Sequence, residues 1–318
     1  MKNKPRVVFM GSGEIGLPTL RWLAESSTVN LVAVVTQPDK PVGRSQIISA
    51  SPPKKVAVEL GVPVLQPIKV RRPEELDRIA EFSPDLIVVM AYGQILPKRL
   101  LDMPTHVCLN LHASLLPRHR GAAPIQAAIL AGDRVTGLTA MYMAEGLDTG
   151  DILLAKSIPI RKRETAGSLH DRLALLGPDT LSEAIELVLS DSAPRIPQNE
   201  AEATYASRLD RESGRIDWSK DCWYLDRLIR AMNPWPGAYT LVRDAHGSFK
   251  KLKIHCGLPM HRVAGEAGRV TSTGTRGIQV ACGKGGLLLL EVQLEGKRAM
   301  SAVEFQRGFK LSAGTSLL

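Results

Sequence analysis

A chain of 318 residues, 44% of them hydrophobic, is longer than one ordinary domain and too apolar to be disordered. No apolar run reaches the roughly 18–20 residues that a membrane-crossing helix needs. The four cysteines, Cys108, Cys222, Cys256 and Cys282, lack CxxC spacing, which speaks against a disulfide framework or a zinc site and for reduced thiols in a cytoplasm. The net charge of +9 is uneven: residues 1–208 hold 24 basic and 22 acidic side chains, whereas residues 209–318 hold 17 and 10. Such an excess suits a polyanion such as nucleic acid or is a solvated basic surface, and charge alone leaves both open.

The first half alternates strand-like and helix-like segments. Val7–Met10 is an apolar run that follows Lys2, Lys4 and Arg6 and is expected to be a first strand rather than the core of a leader. A helix is predicted over Leu17–Glu25, with Pro18 in its first turn and Leu20, Leu23 and Ala24 on one face. Leu31–Val35 reads as a strand, Ser51-Pro52 as the start of a helix reaching Leu60, and Leu86–Met90 and Val107–Leu111 as buried strands. Helices are expected near Ala123–Ala131 and Ser168–Leu189. The alternation predicts an α/β, Rossmann-like domain over 1–189 with a mostly parallel sheet.

Residues 190–208, rich in Ser, Ala, Pro and polar side chains, read as a linker. Beyond it a helix is expected over Lys220–Met232 with Ser219 as its cap. Lys251–Cys256 alternates, which would turn Leu252, Ile254 and Cys256 to a core. Further strands at Ile278–Ala281 and Leu287–Val292, between glycines, predict a small C-terminal β-barrel or sandwich over 209–318. Ser301–Glu304 is a capping-box pattern for a last short helix.

Two stretches bear on chemistry. Gly11-x-Gly13-x-x-Gly16 has dinucleotide-site spacing, but no acidic residue ends the next strand, where Val35-Thr36-Gln37 stands; the glycines are equally explained by a tight turn. Asn110 and His112, two apart on a strand, project from one face at its end, a costly placement unless the groups are bonded or used. The loop Gly146-Leu147-Asp148-Thr149-Gly150 could bring a carboxylate to them. Together they suit attack of an amine on a formyl carbon. A histidine moves the proton, an amide donor meets the oxyanion, and a carboxylate orients the ring. No metal is required, and the seven histidines are not spaced as ligands. From spacing alone, a structural histidine and a turn aspartate remain open.

The run Asn110-Leu-His-Ala-Ser-Leu-Leu-Pro117, continued by Arg118-His-Arg-Gly-Ala-Ala-Pro-Ile125, resembles the signature of the folate-dependent formyltransferases, and Gly146–Gly150 is similar to that family's second motif. The resemblance implies that Asn110, His112 and Asp148 are catalytic. It also implies that Ser114, Leu115, Leu116 and Pro117 lie against the donor, 10-formyltetrahydrofolate, with no metal. Asp151 does not match the motif's catalytic position and reads as structural. Along nearly its whole length the chain resembles the branch that formylates methionine charged on initiator tRNA for translation initiation. That branch has an oligonucleotide-binding (OB-like) barrel as its second domain. Thr36–Arg44 looks like its inserted loop, whose charges at Lys40 and Arg44 either contact the tRNA acceptor stem or belong to a solvated surface turn; the lysines that often follow are replaced by Ser45-Gln46-Ile47-Ile48. Thr204–Ala206, Ile216–Trp218 and Ile229–Ala238 look like its domain junction. Arg118 and Arg120 contact acceptor phosphates or only solvate their loop. The expectation is a cytoplasmic, monomeric enzyme. Rival readings are a nucleotide-sugar formyltransferase, a non-catalytic RNA-binding protein and a nicotinamide enzyme.

Overall fold

The structure, a computed structural model, describes residues 4–42, 47–244 and 246–318. They form two compact units. The first gathers the chain up to Pro124 with Val135–Pro159 and His170–Ala206; the second gathers Ile125–Arg134, Ile160–Leu169 and Ser207–Leu318. The stretch 190–208, expected as a linker, therefore belongs to the first unit as far as Ala206.

The first unit is built on a seven-stranded sheet in the order Ile152–Pro159, Val135–Tyr142, Val107–His112, Leu86–Met90, Arg6–Gly11, Asn30–Val35, Val64–Leu65. The last five run parallel, and the first two extend the sheet antiparallel. Continuous apolar runs form these inner strands because both faces are covered. On one face Val8, Met10, Ile87, Val89 and Cys108 share a core with Leu76, Ile79 and Leu100 from the helices Pro73–Ala80 and Lys98–Leu101. Each fully buried side chain of this kind contributes about 1.5–3 kcal/mol. On the other face Met90 accepts a hydrogen bond from Thr19 in the helix Leu17–Glu25. The helix Pro52–Glu59 starts as its sequence implies: Ser51 Oγ accepts from the Lys54 N–H at 3.3 Å, and Pro52 opens the first turn. The chain leaves Arg6–Gly11 outward to one side, then returns to Leu86–Met90 on the other. Ligand crevices of open α/β sheets form outside the carboxyl ends of strands around such a reversal.

The second unit carries an antiparallel sheet in the order Ala238–Arg243, Phe249–Met260, Gly286–Leu294, Gly277–Ala281, Val270–Gly274, with Met300–Ser301 alongside Gly286–Leu294. A Rossmann-like unit and a second, antiparallel β unit are the architecture expected from the sequence. Two local expectations are corrected. The helix here is Cys222–Ala231, and its cap is Asp221, whose carboxylate accepts from the Trp223 and Tyr224 N–H groups; Ser219 is unavailable because it bonds Asp217 instead. Leu252 and Ile254 are buried as expected, but irregularities in register on both sides of Cys256 break the alternation and leave that residue half-buried.

Among the described residues no helix is long and apolar enough to cross a membrane.

Candidate active site and basic cleft

Asn110 and His112 end the parallel strand Val107–His112, on the face shared with Cys108. Both are buried, and both lie in register with the antiparallel neighbour, opposite Met141 and Thr139. Asp148 reaches them from the loop between the strands Val135–Tyr142 and Ile152–Pro159, which the Tyr142 N–H closes by donating to the Asp151 carbonyl. Asp148 itself sits at φ +53°, a left-handed conformation that Asp tolerates better than most residues. Its Oδ1 lies 3.5 Å from Asn110 Nδ2, and its Oδ2 lies 3.5 Å from His112 Nδ1 and accepts from the Gly121 N–H at 2.8 Å. His112 Nε2 stands 2.9 Å from the His119 carbonyl oxygen. A carbonyl can only accept, so Nε2 carries hydrogen and Nδ1 is the edge turned to the carboxylate. The three residues that the sequence singles out are thus brought together.

The Ser114–Pro117 turn is itself tightly bonded. Ser114 is fully buried, and its hydroxyl donates to the Arg118 carbonyl at 2.6 Å. Thr139 Oγ1 donates to the Ser114 carbonyl and accepts from the Leu116 N–H. Ser114 and Leu116 face inward, and Leu115 and Pro117 are half-buried. At the opposite end of the strand Val107–His112, around its first residues, lies a cavity of about 490 Å³ that neither Asn110, His112 and Asp148 nor the Ser114–Pro117 turn lines. Cys108, two residues before Asn110, lines it with Leu101, Tyr142, Met143, Ala144 and Glu145. Burial pushes the Cys108 thiol up to about 12, so it behaves as an apolar wall. These lining residues carry no signal of their own in the sequence, because Leu, Met and Cys are ordinary core residues.

Lys40 is exposed on a short hairpin, Lys40–Val42 paired with Ile47–Ser49, and Arg44 lies outside the described residues. Asp39, which the nicotinamide reading would have needed for a ribose, is bonded to Lys54 and Gln66, and those bonds hold its carboxyl below the usual range. Around Gly11-x-Gly13-x-x-Gly16 the space is already filled. A Cβ on Gly11 would stand 2.7 Å from the Phe9 ring and 2.9 Å from the Met90 carbonyl oxygen, and one on Gly16 would stand 2.9 Å from the same ring. Arg118 is exposed, whereas Arg120 is fully buried against Gln198 and Glu200. Asp151 lies 3.8 Å from Arg195, whose guanidinium covers the Tyr142 ring. Among the described residues no group of three or more His, Cys, Asp or Glu is placed to hold a metal.

The second unit has a cleft of about 540 Å³ with a marked excess of positive charge. Arg134, Arg161, Lys162, Arg163, Arg227 and Arg230 line it, against Asp133 and Asp226. Half-exposed Trp223 forms part of the wall and meets His261 edge to face, with ring centroids 5.2 Å apart. Four of these cations precede residue 209, so a tally of charge by sequence halves understates how basic this unit is.

A family model, Formyl transferase, matches residues 5–185, and a second, Formyl transferase, C-terminal domain, matches residues 208–310. The chain is 46% identical to a methionyl-tRNA formyltransferase of Geobacter sulfurreducens, across 98% of this chain and 96% of that one. It is likewise 47% identical to one of Citrifermentans bemidjiense, across 97% and 95%. Among solved structures, an N-formyltransferase from Helicobacter canadensis in complex with folinic acid and dTDP-3-aminofucose shares the fold at TM-score 0.64 and 17% identity, over 91% of this chain and 100% of that one. With both of the family's domain models matched in order and relatives near half identity over almost the whole length, the chain belongs to the formyl transferase family.

Proposed function

We propose that this chain transfers the formyl group of 10-formyltetrahydrofolate to the α-amino group of the methionine carried by initiator tRNA, acting as a cytoplasmic monomer in translation initiation. The observation that carries the reaction is the convergence of Asn110, His112 and Asp148 at a strand end. The acceptor follows from the near-full-length likeness to methionyl-tRNA formyltransferases.

In this reading each residue has one task. His112 takes the proton of the attacking amine on Nδ1 and returns it to the leaving nitrogen, and the Asp148 carboxylate 3.5 Å from that nitrogen attracts the charge the ring then carries. Asn110 donates from its amide to the formyl oxygen as that atom gains negative charge, a contribution typically worth on the order of 10²–10³ in rate. The donor lies against the turn Ser114–Pro117 that follows the strand, where Leu115 and Pro117 are half-buried. The basic cleft of the second unit contacts tRNA phosphates, with Trp223 offering an unpaired base a stacking surface. Lys40 and Arg44 add tRNA contacts.

The test is formyl transfer from 10-formyltetrahydrofolate to charged initiator methionyl-tRNA at two salt concentrations. Turnover whose KM for tRNA rises steeply with salt is expected, since phosphate contacts release counterions. Consumption of the formyl donor by a nucleotide sugar with no formylation of tRNA would overturn the acceptor.

A further inference from the structure

The segment 196–206 looks like spacer in the sequence, yet its hydrogen bonds end on the loop that presents Asp148. Ile196 and Ile152 exchange both backbone hydrogen bonds, at 2.8 and 3.0 Å. Two residues on, Gln198 Nε2 donates to the Asp148 carbonyl at 2.8 Å and to the Gly150 carbonyl at 2.7 Å. Its Oε1 accepts from Arg120 Nε at 3.0 Å and Nη2 at 2.8 Å. The orientation of this amide is dictated by its neighbours. Guanidinium groups only donate and carbonyls only accept, so only one of the two possible orientations satisfies all four contacts. Arg120 is fully buried, and its outer nitrogens bond the Glu200 carboxylate at 2.8 and 2.7 Å. The backbone adds to this: the Arg120 N–H donates to the Thr204 carbonyl, and the His119 N–H donates to Thr204 Oγ1. Arg120-Gly121 and Tyr205-Ala206 pair as a short parallel ladder, and the next N–H in line, that of Gly121, grips Asp148 Oδ2.

Asp148 is thus held from both ends, its carboxylate by Gly121 and its main chain by Gln198, in a backbone conformation that a free loop would leave readily. We propose that Gln198, set by Arg120, is a positioning residue that locks the Asp148–Gly150 turn so that the carboxylate faces Asn110 and His112. The inference rests on the reading of Asp148 as part of the catalytic set.

Two substitutions separate positioning from mere support. Gln198→Ala removes the clamp. Gln198→Glu is nearly isosteric and keeps an acceptor for Arg120, so the fold persists, but it replaces the donors to the two carbonyls with an oxygen. Both are expected to lower kcat for formyl transfer by about 10²-fold, the cost of a small misplacement of a reacting group, with the KM for each substrate and the Tm of the Glu variant near those of the parent. In an Asp148→Asn background, itself slowed, Gln198→Glu should cost little more, because one residue acts through the other. A parental kcat in Gln198→Glu, or losses that multiply in the double variant, would overturn the proposal. A parental rate in Asp148→Asn alone would instead overturn the reading of Asp148 on which it stands.

Discussion

Two strand ends in the first unit invite comparison. Arg6–Gly11 and Val107–His112 run parallel in one sheet with Leu86–Met90 between them, and each feeds a turn whose residues match a recognisable spacing. After Arg6–Gly11 the glycines serve the protein's own packing, since the Phe9 ring and the Met90 carbonyl fill the volume a side chain would need. After Val107–His112 the polar groups point at one another. A spacing of glycines specifies only close approach, and the approaching atoms can be the chain's own. A pair of polar side chains at the end of a buried strand carries a desolvation cost, so it demands partners or a use.

The largest expected effect that sharpens this contrast is His112→Ala. It should lower kcat by on the order of 10²–10⁴ while folate binding, followed by fluorescence quenching, persists. Near-parental turnover would remove the chemistry from the second strand end. Gly11→Ala should act on stability instead, costing about 1–3 kcal/mol in denaturant unfolding as the new methyl group meets Phe9 and Met90, with kcat of the folded fraction little changed. Gly13→Ala is the smallest. Its Cβ would come no closer than 3.5 Å to Ala91 in an ordinary extended backbone, so stability should stay within about 0.5 kcal/mol and turnover should be unaffected. A large loss of turnover in Gly13→Ala, or binding of NADH to the parent chain, would break the comparison by making the first strand end a site too.

The parts of the fold legible in the sequence are those specified by local rules. Leu86–Met90 reads as a buried strand because five consecutive apolar residues leave no polar face, and Ser51-Pro52 reads as a helix start because cap and first-turn preferences coincide there. The asparagine–histidine pair and the Asp148 loop were legible as candidates through strand periodicity and through the length of the motif around them. What stayed hidden depends on competition or distance. Ser219 and Asp221 are both good caps, and only the bond from Ser219 to Asp217 decides between them. The half-burial of Cys256 follows from irregular register against Gly286–Leu294, which no alternation within Lys251–Cys256 encodes. Gln198 stands among Pro197, Asn199 and Glu200 in a run that composition marks as spacer, while its partners Arg120 and Asp148 lie 78 and 50 residues away.

The backward reach of residues 196–206 bears on when and where the polypeptide can be cut. A fragment ending at Leu189, after the long helix, would retain Asn110, His112 and Asp148 yet strand the buried guanidinium of Arg120 without Gln198 or Glu200. A nascent chain is in the same position while those residues are still inside the ribosome. The first unit therefore completes its own centre only after Ala206 has emerged, at the threshold of the last segment of the second unit.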